Sequence, residues 1–155
     1  MGLGSWLRNH PRMLENAYTR THNVYQKLDP LIKSIGYSRV ETLIKWPEEW
    51  LKGLIFDCTM CGQCILHSTG MTCPMTCPKN LRNGPCGGVR LNGNCEVIPE
   101  MRCVWVEAYE RSQSMKKYGE EINILQPPVN RTLEERSAWI TMLTGEDQQA
   151  APGWE

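Results

Sequence analysis

The sequence predicts a mainly α-helical protein whose middle is an irregular, cysteine-rich segment stapled by a bound cluster, with little strand. Apolar residues spaced three and four apart, typical of amphipathic helices, occur on both sides of this middle segment. All eight cysteines lie between Cys58 and Cys103, in a stretch rich in glycine, proline and asparagine with no regular period. Such a stretch has too little apolar material for its own core, so disulfides, zinc or an iron–sulfur cluster must hold it together.

Length and composition predict one globular domain, residues 1–155. The chain has 155 residues, of which 41% are hydrophobic and 22% charged, as in ordinary folded domains. Within it we expect four parts: N-terminal helices in 1–56, a cysteine-rich cluster-binding core in 57–103, C-terminal helices in 104–145, and a tail in 146–155.

The first long helix is predicted to begin at Pro11, with Asn9 or His10 as its cap. We expect Asp29-Pro30 to end it and to start a short second helix, which Gly36 closes. One face of the first helix carries an apolar stripe at helical spacing: Leu14, Tyr18, Thr21, Tyr25 and Leu28.

The next helical segment shows both start and stop signals. Ser38-x-x-Glu41 has the pattern of a capping box, and Trp46-Pro47 is predicted to break the helix that it starts. Another turn or two is expected from Glu48. Residues 54–56 are apolar and are either a short strand or a buried helix end, because periodicity does not separate the two.

Helices are also expected after the cysteine-rich segment. Pro99 is predicted to start one that runs to Gly119. Thr132-x-x-Glu135 is a second capping-box pattern, ahead of a helix that Gly145 stops. Residues 146–155 have the composition of a mobile tail.

Charge and hydropathy patterns narrow the partners and the compartment. Lys+Arg and Asp+Glu number 17 each, which argues against a nucleic acid or an acidic membrane surface as the main partner. We find no apolar run of signal-peptide or membrane-span length, and the serine after Gly2 is misplaced for myristoylation. The chain is therefore predicted to be cytoplasmic, where thiols stay reduced, which favours metal or cluster ligation over disulfides.

The cysteine spacing favours iron–sulfur chemistry over zinc. Cys58-x2-Cys61-x2-Cys64 lets one loop deliver three thiolates to one centre, as bacterial ferredoxins do for a [4Fe–4S] cluster. Structural zinc sites more often use two separate C-x2-C pairs. We treat all eight cysteines as candidate cofactor and metal ligands: Cys58, Cys61, Cys64, Cys73, Cys77, Cys86, Cys95 and Cys103.

The number of centres stays open at this point. Eight thiols suit two four-ligand clusters, or one cluster with four cysteines as buried packing residues, and zinc remains the alternative. Gly87 and Gly88 could bring backbone N–H groups close to cluster sulfur and tune its potential, or form only a tight turn. Four basic residues could offset cluster charge, dock a redox partner or be solvated: Lys79, Arg82, Arg90 and Arg102.

Other motifs are weak or missing. The sequence contains no glycine-rich nucleotide loop and no serine–histidine arrangement, so we predict no catalytic residue of its own. We set His67 aside as a ligand, although it lies three residues after Cys64. The chain has six tryptophans and one phenylalanine. Four of the tryptophans are expected in the core or at a subunit interface: Trp6, Trp46, Trp50 and Trp139.

Several long motifs together resemble one family. They are Cys58-Thr-Met-Cys61-Gly-Gln-Cys64, Thr69 to Lys79 with its two Cys-Pro pairs, Arg82-Asn-Gly-Pro-Cys86-Gly-Gly88, Gly93-Asn-Cys95-Glu-Val97 and Cys103-Val-Trp105. This pattern resembles the cysteine-rich domain called the methylenetetrahydrofolate reductase C-terminal domain, across roughly residues 38–118. The chain looks like the stand-alone small subunit of that family.

The resemblance implies an iron–sulfur subunit in reductive one-carbon metabolism. A partner large subunit, a TIM barrel, would carry flavin and reduce 5,10-methylenetetrahydrofolate to 5-methyltetrahydrofolate. Reduced ferredoxin or another carrier would supply single electrons to one or two [4Fe–4S] clusters here. The alternative is a zinc- or cluster-stapled assembly subunit of the same reductase with no electron-transfer role, since family descriptions also mention zinc.

Overall fold

The structure is a computed structural model that describes residues 3–153. Most of the regular structure in this range is α-helical: α1 (Leu3–Arg8), α2 (Pro11–Ile35), α3 (Tyr37–Phe56), α4 (Val104–Ser112) and α5 (Ala138–Thr144). Short 3-10 turns lie between and after these helices, at Leu66–Thr69, Pro74–Thr76, Gly119–Asn123, Arg131–Leu133 and Glu146–Gln148. Gly2 and residues 154–155 of the expected tail lie outside the described residues.

The predicted fold class is confirmed. The structure is 56% helical and 3% strand. The extended pairings in the described range are two isolated antiparallel bridges, Val89 with Cys95 and Asn94 with Arg102. Both bridges fall in the irregular middle, between the end of α3 at Phe56 and the start of α4 at Val104.

Two predicted helix breaks at proline are wrong. α2 continues through Pro30, and α3 continues through Pro47. A proline removes one helical hydrogen bond to the carbonyl four residues earlier, here that of Gln26 or of Leu43. Both of those residues are exposed, so water can reach the freed carbonyl groups and the interruption costs less. Gly36 does end α2, as predicted, with a φ of 104° and its N–H donating to the Ile32 carbonyl.

The predicted capping boxes are also wrong. α3 starts at Tyr37 with Gly36 as its N-cap, and Glu41 binds Arg136 Nε (2.8 Å) and Ser137 N (2.9 Å) instead. Ser137 is the N-cap of α5, five residues beyond Thr132. In both cases tertiary contacts engage the residues that local spacing would have paired.

The remaining boundary predictions had mixed outcomes. The helix expected from Pro99 to Gly119 is shorter, α4 alone, because residues 94–103 are engaged in bridges and turns. The apolar run at 54–56 is a helix end rather than a strand. Gly145 stops α5 in a left-handed conformation, as predicted. The tail region includes the turn Glu146–Gln148, where Asp147 O accepts a 3.2 Å hydrogen bond from Gln63.

The core forms where the helices meet the start of the irregular middle. α5 packs on α2 through Tyr25 and Trp139, whose parallel rings have centroids 5.0 Å apart. α1 approaches α3 so closely that a Cβ on Gly4 would lie 2.6 Å from the Leu54 carbonyl oxygen. One cluster of buried apolar side chains joins these parts: Leu14, Leu66, Met71, Cys73, Met75 and Met115. Of the helices in residues 3–153, none is long and apolar enough to span a bilayer.

Candidate metal centre

The loop that carries the cysteine triplet leaves α3 through a sharp turn. Asp57 caps α3 in a left-handed conformation (φ 53°), and its N–H donates to the Gly53 carbonyl at 3.0 Å. Gly62 is also left-handed (φ 72°), and a Cβ there would lie 2.1 Å from the Leu133 carbonyl oxygen. This position therefore needs glycine both for its φ and for its close approach to the 131–133 turn.

The C-terminal part of the chain clamps this loop through Gln63. Its side chain is 1% exposed, and Oε1 accepts a 2.7 Å hydrogen bond from Asn130 N. The Glu135 N–H donates to the Met60 carbonyl at 2.8 Å, and Thr141 Oγ1 donates to the Gly62 carbonyl. The loop conformation is thus set by residues about seventy positions later in the chain.

Four of the eight predicted ligands line one small cavity. Its walls include Cys58, Cys61 and Cys64 from the loop, and Cys73, which precedes the Pro74–Thr76 turn. The other walls are largely apolar and buried, with Met60, Ile65, Leu66 and Met75 among them. The structure therefore brings the triplet together with a fourth thiol, which spacing alone did not identify.

Burial keeps these thiols protonated in the absence of a ligand. It raises the pKa of Cys58 to about 11 and that of Cys73 to about 12, and neighbouring cysteine thiolates push both values further up. Burial also raises the pKa of Cys61. Because only thiolates bind metal strongly, occupation of this cavity by metal would release protons.

Backbone N–H groups point at three of the four sulfurs. Met60 N donates to Cys58 Sγ at 3.4 Å. The N–H groups of Gln63 and Met75 do the same for Cys61 and Cys73, each two residues after its cysteine. Such N–H groups stabilise negative charge on sulfur, and they are a main control on cluster reduction potential.

Two buried cations flank the same cavity. Lys52 is 8% exposed, and Nζ donates to Glu48 Oε1 at 2.5 Å. Burial alone would lower the pKa of Lys52, but the nearby Cys64 thiolate and Glu48 raise it overall. Arg82 is 3% exposed and donates to the carbonyl groups of Gln63 (3.3 Å) and Pro127 (2.8 Å). Both side chains remain charged beside the thiols.

The other four cysteines lie apart from this cavity, along residues 77–103. Cys95 N donates to Met101 O (2.9 Å), and Cys103 N donates to Gly93 O (3.0 Å), so these two cysteines lie on paired segments. Val97 N donates to Cys95 Sγ at 3.4 Å. Cys86 is exposed, and Cys77 is half-buried.

The predicted glycine contact lies at Cys86 and not at the triplet. Gly88 N donates to Cys86 Sγ at 3.3 Å. The Glu96 carboxylate lies 3.9 Å from the same sulfur and pairs with Lys79. A Cβ on Gly88 would collide with this carboxylate, so the glycine gives Glu96 its place.

The predicted basic residues separate into two groups. Arg82 lies against the four-thiol cavity, whereas Lys79 and Arg102 form exposed pairs with Glu96 and Glu110. Arg90 is an exposed or half-buried side chain that donates to the Glu96 carbonyl at 3.4 Å. Within residues 3–153, no three Cys, His, Asp or Glu side chains are close enough to hold a single metal ion.

Sequence reasoning missed Lys52 and the aromatic surroundings of Cys64. Lys52 lies within an amphipathic helix, and a lysine four residues after Glu48 is indistinguishable there from a surface pair. Of the four tryptophans expected in the core or at an interface, Trp6, Trp46 and Trp50 are exposed by 50–72%, and Trp139 is half-buried. The exposed ones are therefore not core residues.

Comparison with known protein families gives a match for the central part of the chain. The family described as "Methylene-tetrahydrofolate reductase C terminal" matches residues 37–132, which include all eight cysteines and run from the start of α3 to the Arg131–Leu133 turn. Searches of curated proteins and of solved structures returned no match. On the extent of the family match, which covers more than half of its residues, the chain belongs to the methylenetetrahydrofolate reductase C-terminal family.

Proposed function

We propose that this chain is the iron–sulfur electron-transfer subunit of a methylenetetrahydrofolate reductase, with a [4Fe–4S] cluster held by Cys58, Cys61, Cys64 and Cys73. The observation that carries the proposal is the convergence of these four thiols on one enclosed cavity. When bound, such a cluster exchanges one electron at a time. Family membership supports the link to the reductase.

The residues around the cavity suit a negatively charged centre. Lys52 and Arg82 supply positive charge where four thiolates would concentrate negative charge. The N–H groups of Met60, Gln63 and Met75 stabilise the sulfurs further. Apolar walls exclude water, which strengthens each of these interactions.

The thiol arrangement favours a cluster over a single zinc ion. Around one tetrahedral zinc, with Zn–S bonds of about 2.3 Å, the sulfurs would lie about 3.8 Å apart. A four-iron cluster binds each thiolate through a different iron and holds the four further apart. The thiols line one cavity, yet no three of them in the described chain approach closely enough for one ion.

The remaining cysteines extend the proposal to a second centre on Cys77, Cys86, Cys95 and Cys103. The N–H(i+2) to Sγ(i) turn found at the first centre recurs at Cys86 and Cys95. The backbone pairings of the 89–103 segment hold Cys95 and Cys103 on adjacent strands of chain. Two centres in one chain would form a relay from an electron carrier such as ferredoxin to the reductase flavin.

An exposed apolar stripe on α3 offers a docking surface for the flavin-containing large subunit. Four side chains at helical spacing share this stripe and are 51–75% exposed: Leu43, Trp46, Trp50 and Leu54. Exposed apolar patches with aromatic residues mark protein interfaces. In the proposed complex the flavin partner binds the folate and reduces 5,10-methylenetetrahydrofolate to 5-methyltetrahydrofolate.

Reduction of the partner flavin tests the electron-transfer role. The complex is purified without oxygen, and reduced ferredoxin is mixed with wild type or with Cys61→Ser. We expect a rhombic low-temperature resonance of the reduced cluster, followed by flavin bleaching, in wild type only. Equal bleaching in both proteins, with the metal centre redox-silent, would favour the assembly role instead.

A further inference from the structure

A second cavity, of about 230 Å³, adjoins the four-thiol cavity and shares Cys64 and Lys52 with it. It lies among α2, α5 and the turns at Leu66–Thr69, Gly119–Asn123 and Glu146–Gln148. Its volume approaches that of the pockets that enclose small ligands in proteins. The proposed cluster does not use this space.

The cavity walls are flat aromatic rings centred on Tyr18. The Tyr18 ring is stacked on His67 (centroids 5.2 Å apart, planes at 19°). It also meets Trp139 at 5.6 Å and the edge of Tyr118 at 6.0 Å. Walls of this kind match a planar ring, which can stack on their faces.

A positive charge already lies at the aromatic wall. Lys52 Nζ is 5.0 Å from the centroid of Trp139, in a cation–π arrangement. A cationic ligand would have to approach this ammonium group in a partly buried site and would be repelled. The charge of Lys52 therefore selects a neutral or electron-rich ring.

Two imidazole nitrogens in the cavity lack hydrogen-bond partners. Within residues 3–153, Nδ1 of His22 and Nδ1 of His67 are buried and make no hydrogen bond. His67 Nε2 lies 3.4 Å from Glu121 Oε2, which places the imidazole hydrogen on Nε2 and leaves Nδ1 as an acceptor. Burial lowers the pKa of His67, which keeps the ring neutral. His67 Nδ1 thus needs an N–H or O–H donor, and His22 Nδ1 is free to donate to a carbonyl.

We infer that this cavity binds a planar nitrogen heterocycle through a lactam edge, an N–H next to a C=O. The N–H would donate to His67 Nδ1, the carbonyl would accept from His22, and the ring would stack on Tyr18 and Trp139. Buried polar atoms without partners cost free energy, which such a ligand would recover. Its position beside the proposed cluster rests on the proposed function, whereas binding does not.

Lumiflavin is a suitable probe, because N3–H is its one hydrogen-bond donor, and 3-methyllumiflavin lacks it. Titration of the purified chain is followed by quenching of flavin fluorescence, and lumazine, a pteridine with the same lactam edge, is titrated in competition. We expect saturable lumiflavin binding that N3-methylation weakens about tenfold. Whichever of lumiflavin and lumazine binds tighter identifies the ring size that the cavity accepts.

His67→Phe keeps the aromatic wall and removes the acceptor, so the two flavins should bind with equal affinity to this variant. His10→Phe is the matched control, because His10 is exposed and lies outside the cavity; it should behave as wild type. Absence of saturable binding, or equal binding of both flavins by wild type, would overturn the inference without any variant. Iron content measured on the same samples reports separately on the proposed cluster.

Discussion

Glu15 Oε1 accepts a 2.7 Å hydrogen bond from the backbone N–H of Lys117, 102 positions later in the chain. The same carboxylate also binds the N–H groups of Lys116 (3.1 Å) and Tyr118 (3.0 Å). Glu15 is 2% exposed, and three N–H donors satisfy its charge. One side chain of α2 thus fixes the turn after α4, which leads into one wall of the second cavity.

Glu15→Gln should destabilise the protein by about 1–3 kcal/mol at pH 7, since charge-assisted hydrogen bonds are lost. Burial raises the pKa of Glu15, but the three N–H groups more than offset this and lower it overall. A lowered pKa contributes stability above the ordinary carboxyl pKa, about 4.5, and this is lost as pH falls through the folded-state value. Urea unfolding at pH 7 and pH 4 measures both effects.

The control is Glu49→Gln, which removes an exposed carboxylate from α3. It should change stability by less than about 0.5 kcal/mol at either pH. If Glu15→Gln were equally mild at pH 7, the three hydrogen bonds would not hold the 116–118 turn.

Gly62→Ala should prevent assembly of the cysteine loop. The new Cβ would lie 2.1 Å from the Leu133 carbonyl oxygen, at a left-handed φ of 72°. We expect a destabilisation of at least about 3 kcal/mol and loss of bound iron, measured by unfolding and by metal analysis. Gly53→Ala is the matched control, because nothing lies within 4 Å of its Cβ position in α3. It should stabilise the helix by up to about 1 kcal/mol.

Lys52→Met should leave Glu48 charged and buried without its cation. Removal of one partner from a buried ion pair costs about 3–5 kcal/mol. Loss of positive charge beside Cys64 should also make the reduction potential of the bound centre more negative, because its reduced form carries more negative charge. Lys52→Arg should restore most of both properties in a redox titration. A potential that does not change in Lys52→Met would place the centre away from this side chain.

Trp50→Glu should weaken association with the flavin-containing subunit and leave iron content unchanged. Trp50 is 61% exposed on the α3 stripe, so its loss removes interface area without disturbing the core. We expect at least tenfold weaker binding in a pull-down titration or by calorimetry. Leu91→Glu is the control, since Leu91 is fully exposed in the irregular middle, away from the α3 stripe. Equal weakening by both substitutions would contradict docking through α3.

Much of the fold followed from local patterns, and its failures have physical causes. The stops at Gly36 and Gly145 were correct because glycine in a left-handed conformation is a local property of the chain. The breaks at Pro30 and Pro47 were wrong because long amphipathic helices tolerate a lost hydrogen bond where its carbonyl meets solvent. Ser38 and Thr132 were wrongly taken as caps because distant residues determine the geometry there.

The candidate site was predictable in its ligands and not in their grouping. The spacing of Cys58, Cys61 and Cys64 indicates a shared centre by itself. The place of Cys73 beside them depends on the turns between residues 65 and 74, which no period reveals. Lys52 and His67 come from separate helical segments, so their meeting at Cys64 is a tertiary fact.

The most direct test of the four-thiol centre is iron and acid-labile sulfide analysis of the protein purified without oxygen, with and without Cys58, Cys61, Cys64 and Cys73 replaced together by serine. The account predicts about eight irons and eight sulfides per wild-type chain, and the loss of about four of each in the variant. Zinc without sulfide in the wild type, or an unchanged iron content in a folded variant, would contradict it.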